Sequence, residues 1–160
     1  MQRRALVFGF LCTFAILLPL IAQAGPKPFA QFPATVYRGP TVMPDFKGKQ
    51  RPFADMRTKL AQGFRGAAAF GGSWRVIEIG CGAGCVIIYL GDLATGTILE
   101  TALGGEEHGQ LDLKYRADSR LLLATWAEDF EGTSCKGQGF VLEPGRMRPV
   151  TAPMKTACPK

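Results

Sequence analysis

The sequence has one histidine, His108, and that shortage bounds its chemistry first. Any serine–histidine–acid arrangement must run through that imidazole. Ser73, Ser119 and Ser134 sit in a glycine-rich approach, a tight turn and a loop, none of them a nucleophile elbow. Acidic residues are scarce where basic ones gather, with nine Lys/Arg against two Asp/Glu over residues 25–75. No aromatic residues interleave with a basic stripe, so the pattern of a nucleic-acid-binding surface is missing. Beyond the N-terminal leader no apolar run is long enough to span a membrane.

The leader itself is well marked. Met1–Arg4 is a short basic region, Ala5–Ile21 is apolar apart from Thr13 and small breaks, and Ala22-Gln23-Ala24 fits a small-x-small cleavage site. Gly9 and Pro19 interrupt the apolar run and no stop-transfer flank follows, so residues 1–24 are expected to be a signal peptide rather than a retained helix. Cys12 leaves with it, and Phe10 and Leu11 precede that cysteine where a lipid-anchor site needs small residues. Folding is therefore expected in the periplasm or outside the cell.

Charge is segregated along the expected mature chain. Residues 76–134 hold three basic and ten acidic groups, and residues 135–160 hold five and one. The simplest expectation is internal complementarity, a basic N-terminal segment and tail packing around an acidic middle. An anionic partner such as a membrane surface or polysaccharide is the competing one.

Composition changes once. Residues 25–52 carry six prolines and no sustained periodicity, which predicts an extended arm. Phe53, Met56, Leu60 and Phe64 fall on one helical face, with Gly63 placed to end a short helix. Beyond Gly66 the signals are those of strands: Trp74–Ile79; Val86–Leu90, apolar throughout and so buried on both faces; Thr97–Leu103; Leu111–Tyr115; Leu121–Trp126; Gly139–Glu143; and Met147–Val150. Asp92–Gly96, Ala117–Arg120 and Pro144-Gly145 read as turns, and such short connections favour antiparallel pairing. The expected architecture is mainly β, one antiparallel domain over residues 53–160, a sandwich or partly open barrel with one short helix.

The mature segment keeps four cysteines, Cys81, Cys85, Cys135 and Cys158, an even number in an oxidising compartment and so two expected disulfides. Three pairings are possible. Cys81 with Cys85 would close a tight ring whose backbone angles Gly82 and Gly84 can supply, and Cys135 with Cys158 would fasten the tail. That pairing is favoured over the crossed ones, which would tie the glycine loop to the C-terminal region. Redox chemistry is the sharper reading of Cys81 and Cys85. However, thioredoxin-like motifs place two residues between their cysteines, at a helix start, and here three lie between two strands.

Other groupings are thin. Glu106, Glu107, His108 and Asp112 lack a recognised cation-ligand spacing, and Glu128, Asp129 and Glu131 form an acidic strand end with nothing else suggesting a sugar cleft. Trp74 and Trp126 read as core or half-buried.

Two resemblances complete the reading. The run Ile77–Cys85, IEIGCGAGC, resembles the first motif of S-adenosylmethionine-dependent methyltransferases, with Glu100 at a plausible distance for a ribose contact. That motif needs a helix after its glycines, whereas Val86-Ile87-Ile88-Tyr89 is β-branched and aromatic, and 60 residues after Glu100 are too few for a doubly wound sheet. The methyltransferase reading is rejected.

The second resemblance spans about residues 53–126. Gly80–Cys85, Asp92–Gly96 and Asp118-Ser119-Arg120-Leu121-Leu122 together resemble a group of small uncharacterised exported bacterial proteins with a Gly-Cys-Gly-x-x-Cys element, an Asp-x-x-Thr-Gly hairpin and an Asp-Ser-Arg-Leu-Leu turn. The likeness implies export and carries over no established activity. The segment Asp118–Trp126 also looks like part of a propeller blade, but the chain is too short for four blades. The functional expectation is a secreted or periplasmic non-enzymatic binding protein whose partner is a macromolecule or an envelope surface. The alternative is a small secreted hydrolase using Asp/Glu groups. Neither a catalytic residue nor a cofactor or metal is assigned.

Overall fold

The computed structural model describes residues 28–159; the expected signal peptide and the first residues of the arm lie outside them. Alternation of apolar side chains decides the architecture. Strands β1 (Trp74–Gly82), β2 (Cys85–Asp92) and β3 (Thr97–Gly104) form a three-stranded antiparallel sheet in sequence order. A second antiparallel sheet is made by β4 (Gly109–Tyr115), β5 (Leu121–Ala127), β6 (Cys135–Glu143), β7 (Arg146–Pro149) and β8 (Met154–Thr156). Both β7 and β8 pair with β6, at Phe140–Glu143 and Cys135–Gly137 respectively. The described residues are thus mainly β, two antiparallel sheets packed as a sandwich with no closed barrel among them.

Period two sends successive side chains to opposite faces. Ile88 and Leu90 of β2 and Leu103 of β3 meet Leu122, Ala124 and Trp126 of β5 and Leu142 of β6, with Phe70 among them, in the core between the sheets. The other face of the first sheet carries Ile77, Ile79, Tyr89 and Ile98 under Leu60 and Phe64. Strand β2 therefore does feed two cores, as its unbroken apolar run implies.

Leu60 and Phe64 belong to the short helix α1 (Arg57–Gly63) and its cap, and a 3₁₀ turn at Arg51–Met56 leads into it. Phe53 and Met56 pack at the margin of the same core. The single amphipathic helix expected over this stretch is thus split, the proline at Pro52 standing where its 3₁₀ entry begins. Glycine lets α1 approach: a Cβ on Gly91 of β2 would lie 2.5 Å from the Phe64 ring.

The arm drapes over the domain edge. The amide of Ala34 donates to the Asp118 carbonyl, that of Tyr37 to Gly72, that of Val42 to Leu93, and the Ile98 amide donates to the Gln50 side chain. It is held by backbone pairing rather than by charge. The four ion pairs among the described residues all lie within residues 116–148, so none joins the basic arm to the acidic middle. Of the expected electrostatic embrace, Lys136 with Glu128 joins the basic tail to the acidic middle, while the arm is held by hydrogen bonds, each worth about as much as or more than an exposed ion pair.

Candidate functional site

The four cysteine sulfurs lie in two pairs at disulfide distance, Cys81 with Cys85 and Cys135 with Cys158, each with Cα atoms 5.2 Å apart. The first closes the tip of the β1–β2 hairpin. There the ladder slips between Gly80 and Gly82, and Gly82 (φ 145°) and Gly84 (φ 70°) take backbone angles that side chains rarely adopt. Strand β2 begins directly after Gly84, so the helix demanded by a cofactor loop is not there. The second disulfide joins buried Cys135, at the start of β6, to Cys158 beyond β8.

Beside the hairpin tip is a cleft of about 370 Å³, bounded by Gly84 and Cys85, by Glu106 and Gln110, and by Glu128 to Phe130. Gln110 is the one described residue other than glycine with positive φ (50°), at the bulge where the β4–β5 register slips. Its side-chain amide donates to the Phe130 carbonyl at 3.0 Å, and the Phe130 ring is 93 % exposed.

Two of the three carboxylates lining this cleft, Asp129 and Glu128, are held by neighbouring side chains and amides; the third is Glu106. Asp129 accepts from the Thr133 amide (2.7 Å), the Thr133 hydroxyl (2.6 Å) and the Ser134 amide (2.9 Å), and the Thr133 contacts hold its carboxyl below the usual range. Glu128 sits 2.6 Å from the Lys136 ammonium and accepts from the Ser134 hydroxyl; the Lys136 contact, foremost, lowers it too. Both are shifted the same way, so Asp129 and Glu128 do not separate from each other into an acid and a base.

His108 is not among the residues that line the cleft. Its ring stands edge-on to Trp126 with centroids 4.7 Å apart, and Nδ1 lies 3.0 Å from the Gly104 carbonyl. Among the described residues no three His, Cys, Asp or Glu side chains group as metal ligands, so Glu106, Glu107, His108 and Asp112 do not converge. Of the serines, Ser119 is 1 % exposed and bonded to the arm, and Ser134 binds Glu128.

A second opening, on the outer face of the second sheet, is a trough of about 460 Å³. Alternation puts Leu121, Leu123 and Thr125 of β5 on the face opposite the core. Beside them β6 presents Gly137 and Gly139, whose missing side chains leave the floor low. Phe32 of the arm forms one wall and Val150, Met154 and Thr156 the other. Met154 is 60 % exposed, and among the described residues β8 pairs only with β6, so no described strand covers its other edge. The trough escapes a reading of the sequence because β8 is three residues long, below any detectable period. The legible trace was the alternate glycines of Gly137-Gln138-Gly139, the mark of a strand approached closely from one side.

No family model, curated protein or solved structure matches the chain.

Proposed function

We propose that the protein is an exported, non-enzymatic binding protein whose partner is another polypeptide, taken in extended form along β8 with apolar side chains in the trough. The observation that carries this reading is the coincidence of a strand edge that no described strand covers with an apolar, glycine-floored trough. Edge addition supplies backbone hydrogen bonds and pockets beside the edge supply selectivity. Export is supported by the leader-like residues 1–24, by the two cysteine pairs at disulfide distance, and by the lack, among the described residues, of a helix long and apolar enough to cross a membrane.

The test uses the oxidised mature protein immobilised against envelope extract, side by side with Leu123→Asp, which sets a charge in the trough. A polypeptide retained by the wild type and released by Leu123→Asp, at unchanged circular dichroism, is the expected result. Equal retention by both, or none by either under mild conditions, counts against it. Fractionation with thiol counting checks the compartment: a cytosolic protein with four free thiols would overturn export.

A further inference from the structure

The two disulfides differ in setting. Cys135 is 3 % exposed and lies within the sheet, whereas Cys81 is exposed at a hairpin tip with Gly80, Gly82, Ala83 and Gly84 exposed around it. No neighbouring atom lies within 4 Å of where side chains at Gly82 and Gly84 would begin, so the approach to the ring is open. The hairpin also has pairing and packing of its own below the ring. Strands β1 and β2 are paired continuously from Trp74–Asp92 to Gly80–Val86, and Ile77, Ile79, Ile88 and Leu90 anchor both faces without it. A cross-link between cysteines only four positions apart removes little freedom from the unfolded chain, and an exposed disulfide is the kind that exchanges.

The cleft beside the ring selects what attacks it. Its lining includes Glu106, Glu128 and Asp129 and no Lys or Arg; Lys136 pairs with Glu128 and Lys155 acts on it from further off, which leaves Glu106 and Asp129 without a cationic partner among the described residues. Glu107 and Glu131, both exposed, flank it in sequence. An anionic thiol is repelled there and a thiol in cationic surroundings is drawn in. Phe130, projecting from the opposite wall, offers such a partner an apolar contact.

We propose that the Cys81–Cys85 disulfide is a thiol–disulfide exchange site that accepts two electrons from a dithiol protein with a basic surface around its cysteine. The partner's thiolate attacks Sγ of Cys81, the more exposed residue of the pair; the ring's S–S bond breaks and Cys85 leaves as a thiolate that takes up a proton. The partner's second thiol then displaces Cys81, which is protonated in turn, and the partner departs as a disulfide. This proposal is independent of the trough, which lies on the outer face of the other sheet.

The experiment exposes the oxidised mature protein to cysteamine or glutathione, in low salt and in about 0.5 M salt, followed by alkylation and peptide mapping. Each thiol's rate is referred to its rate on a neutral small disulfide. Cys81 and Cys85 are expected to be alkylated at least about ten-fold ahead of Cys135 and Cys158, with the circular dichroism of the fold retained. Cysteamine should be favoured by about three-fold or more in low salt, a preference that shrinks in high salt and with Glu106→Gln. Opening of both disulfides at one rate, loss of the fold on opening the ring, or equal relative rates for the two thiols would each overturn the proposal. The kinetic arms use the wild-type chain, so they stand even where a variant does not fold.

Discussion

Ser119 Oγ lies 2.8 Å from the carbonyl oxygen of Phe29, a residue ninety positions earlier in the chain. The same hydroxyl is 3.1 Å from the Phe32 carbonyl and accepts the Leu121 amide at 3.2 Å. Around it the Ala34 amide bonds to the Asp118 carbonyl and the Arg120 amide to the Phe32 carbonyl. The Asp-Ser-Arg turn is a clamp for the arm, and the arm's Phe32 is a wall of the trough.

Ser119→Ala is therefore expected to cost about 1–3 kcal/mol, the range for stranding buried polar partners, even though the residue is small and the change conservative. Urea unfolding measures the loss. Limited proteolysis should show cleavage near residues 28–34 rising before the sheets become sensitive. Wild-type resistance in that stretch would mean that the backbone bonds hold the arm unaided.

Close approach of α1 to the first sheet makes a second expectation. A methyl group on Gly91 would press on the Phe64 ring from 2.5 Å, and the Phe64 side chain is fully buried with nowhere to retreat. Gly91→Ala should destabilise by about 1–3 kcal/mol through overpacking. Phe64→Leu makes room at the same contact, so the double variant should be more stable than the sum of the two single losses implies. Strict additivity in a double-mutant cycle would show that the two residues do not meet.

Acid dependence arises from carboxylates held as anions. Arg148 and then Arg146 lower Glu143, the Thr133 contacts lower Asp129, and Lys136 and Ser134 lower Glu128. A carboxyl with a lower proton affinity folded than unfolded stabilises fully above its unfolded pKa, about 4, and loses that contribution as pH falls through the folded value. The midpoint of thermal unfolding should thus be flat from about pH 7 to 5 and drop below about 4. Asp129→Asn should flatten part of that drop, and an unchanged acid limb would remove Asp129 from the account.

Much of this fold was legible because its strands alternate. The strand pattern from Trp74 to Trp126 and the Asp92–Gly96 turn come from β-branched residues and turn chemistry. The Asp92 carboxylate there accepts the Ala94 amide and the Thr95 hydroxyl. Three features were out of reach of local pattern. Pro52 gave no sign that it would open a 3₁₀ turn rather than an α-helix, since its fixed φ suits both. The first half of β6, Cys135–Gln138, is polar and glycine-bearing, and only pairing with β5 and β8 makes it a strand. The trough, finally, is a property of three segments, Pro28–Phe32, β5–β6 and residues 150–156, that no sequence window contains together.

The last of those segments depends on one cross-link. Strand β8 meets β6 over only three residue pairs, Cys135–Thr156 to Gly137–Met154, and all three of its residues are exposed, so it buries too little apolar surface to stay in place alone. The Cys135–Cys158 bond, 23 positions apart in sequence, holds it against the sheet. Replacing both cysteines by serine should cost about 3 kcal/mol in urea unfolding, the chain-entropy value for a loop of that size. Hydrogen exchange at Met154–Thr156 should accelerate while β5 stays protected. The trough then loses the wall made by Met154 and Thr156, so a polypeptide retained by the wild type should be released by this variant. Opening Cys81–Cys85 instead should leave that retention intact, because the hairpin tip shares no residue with the trough. Undiminished retention by the double serine variant would remove β8 from the binding surface.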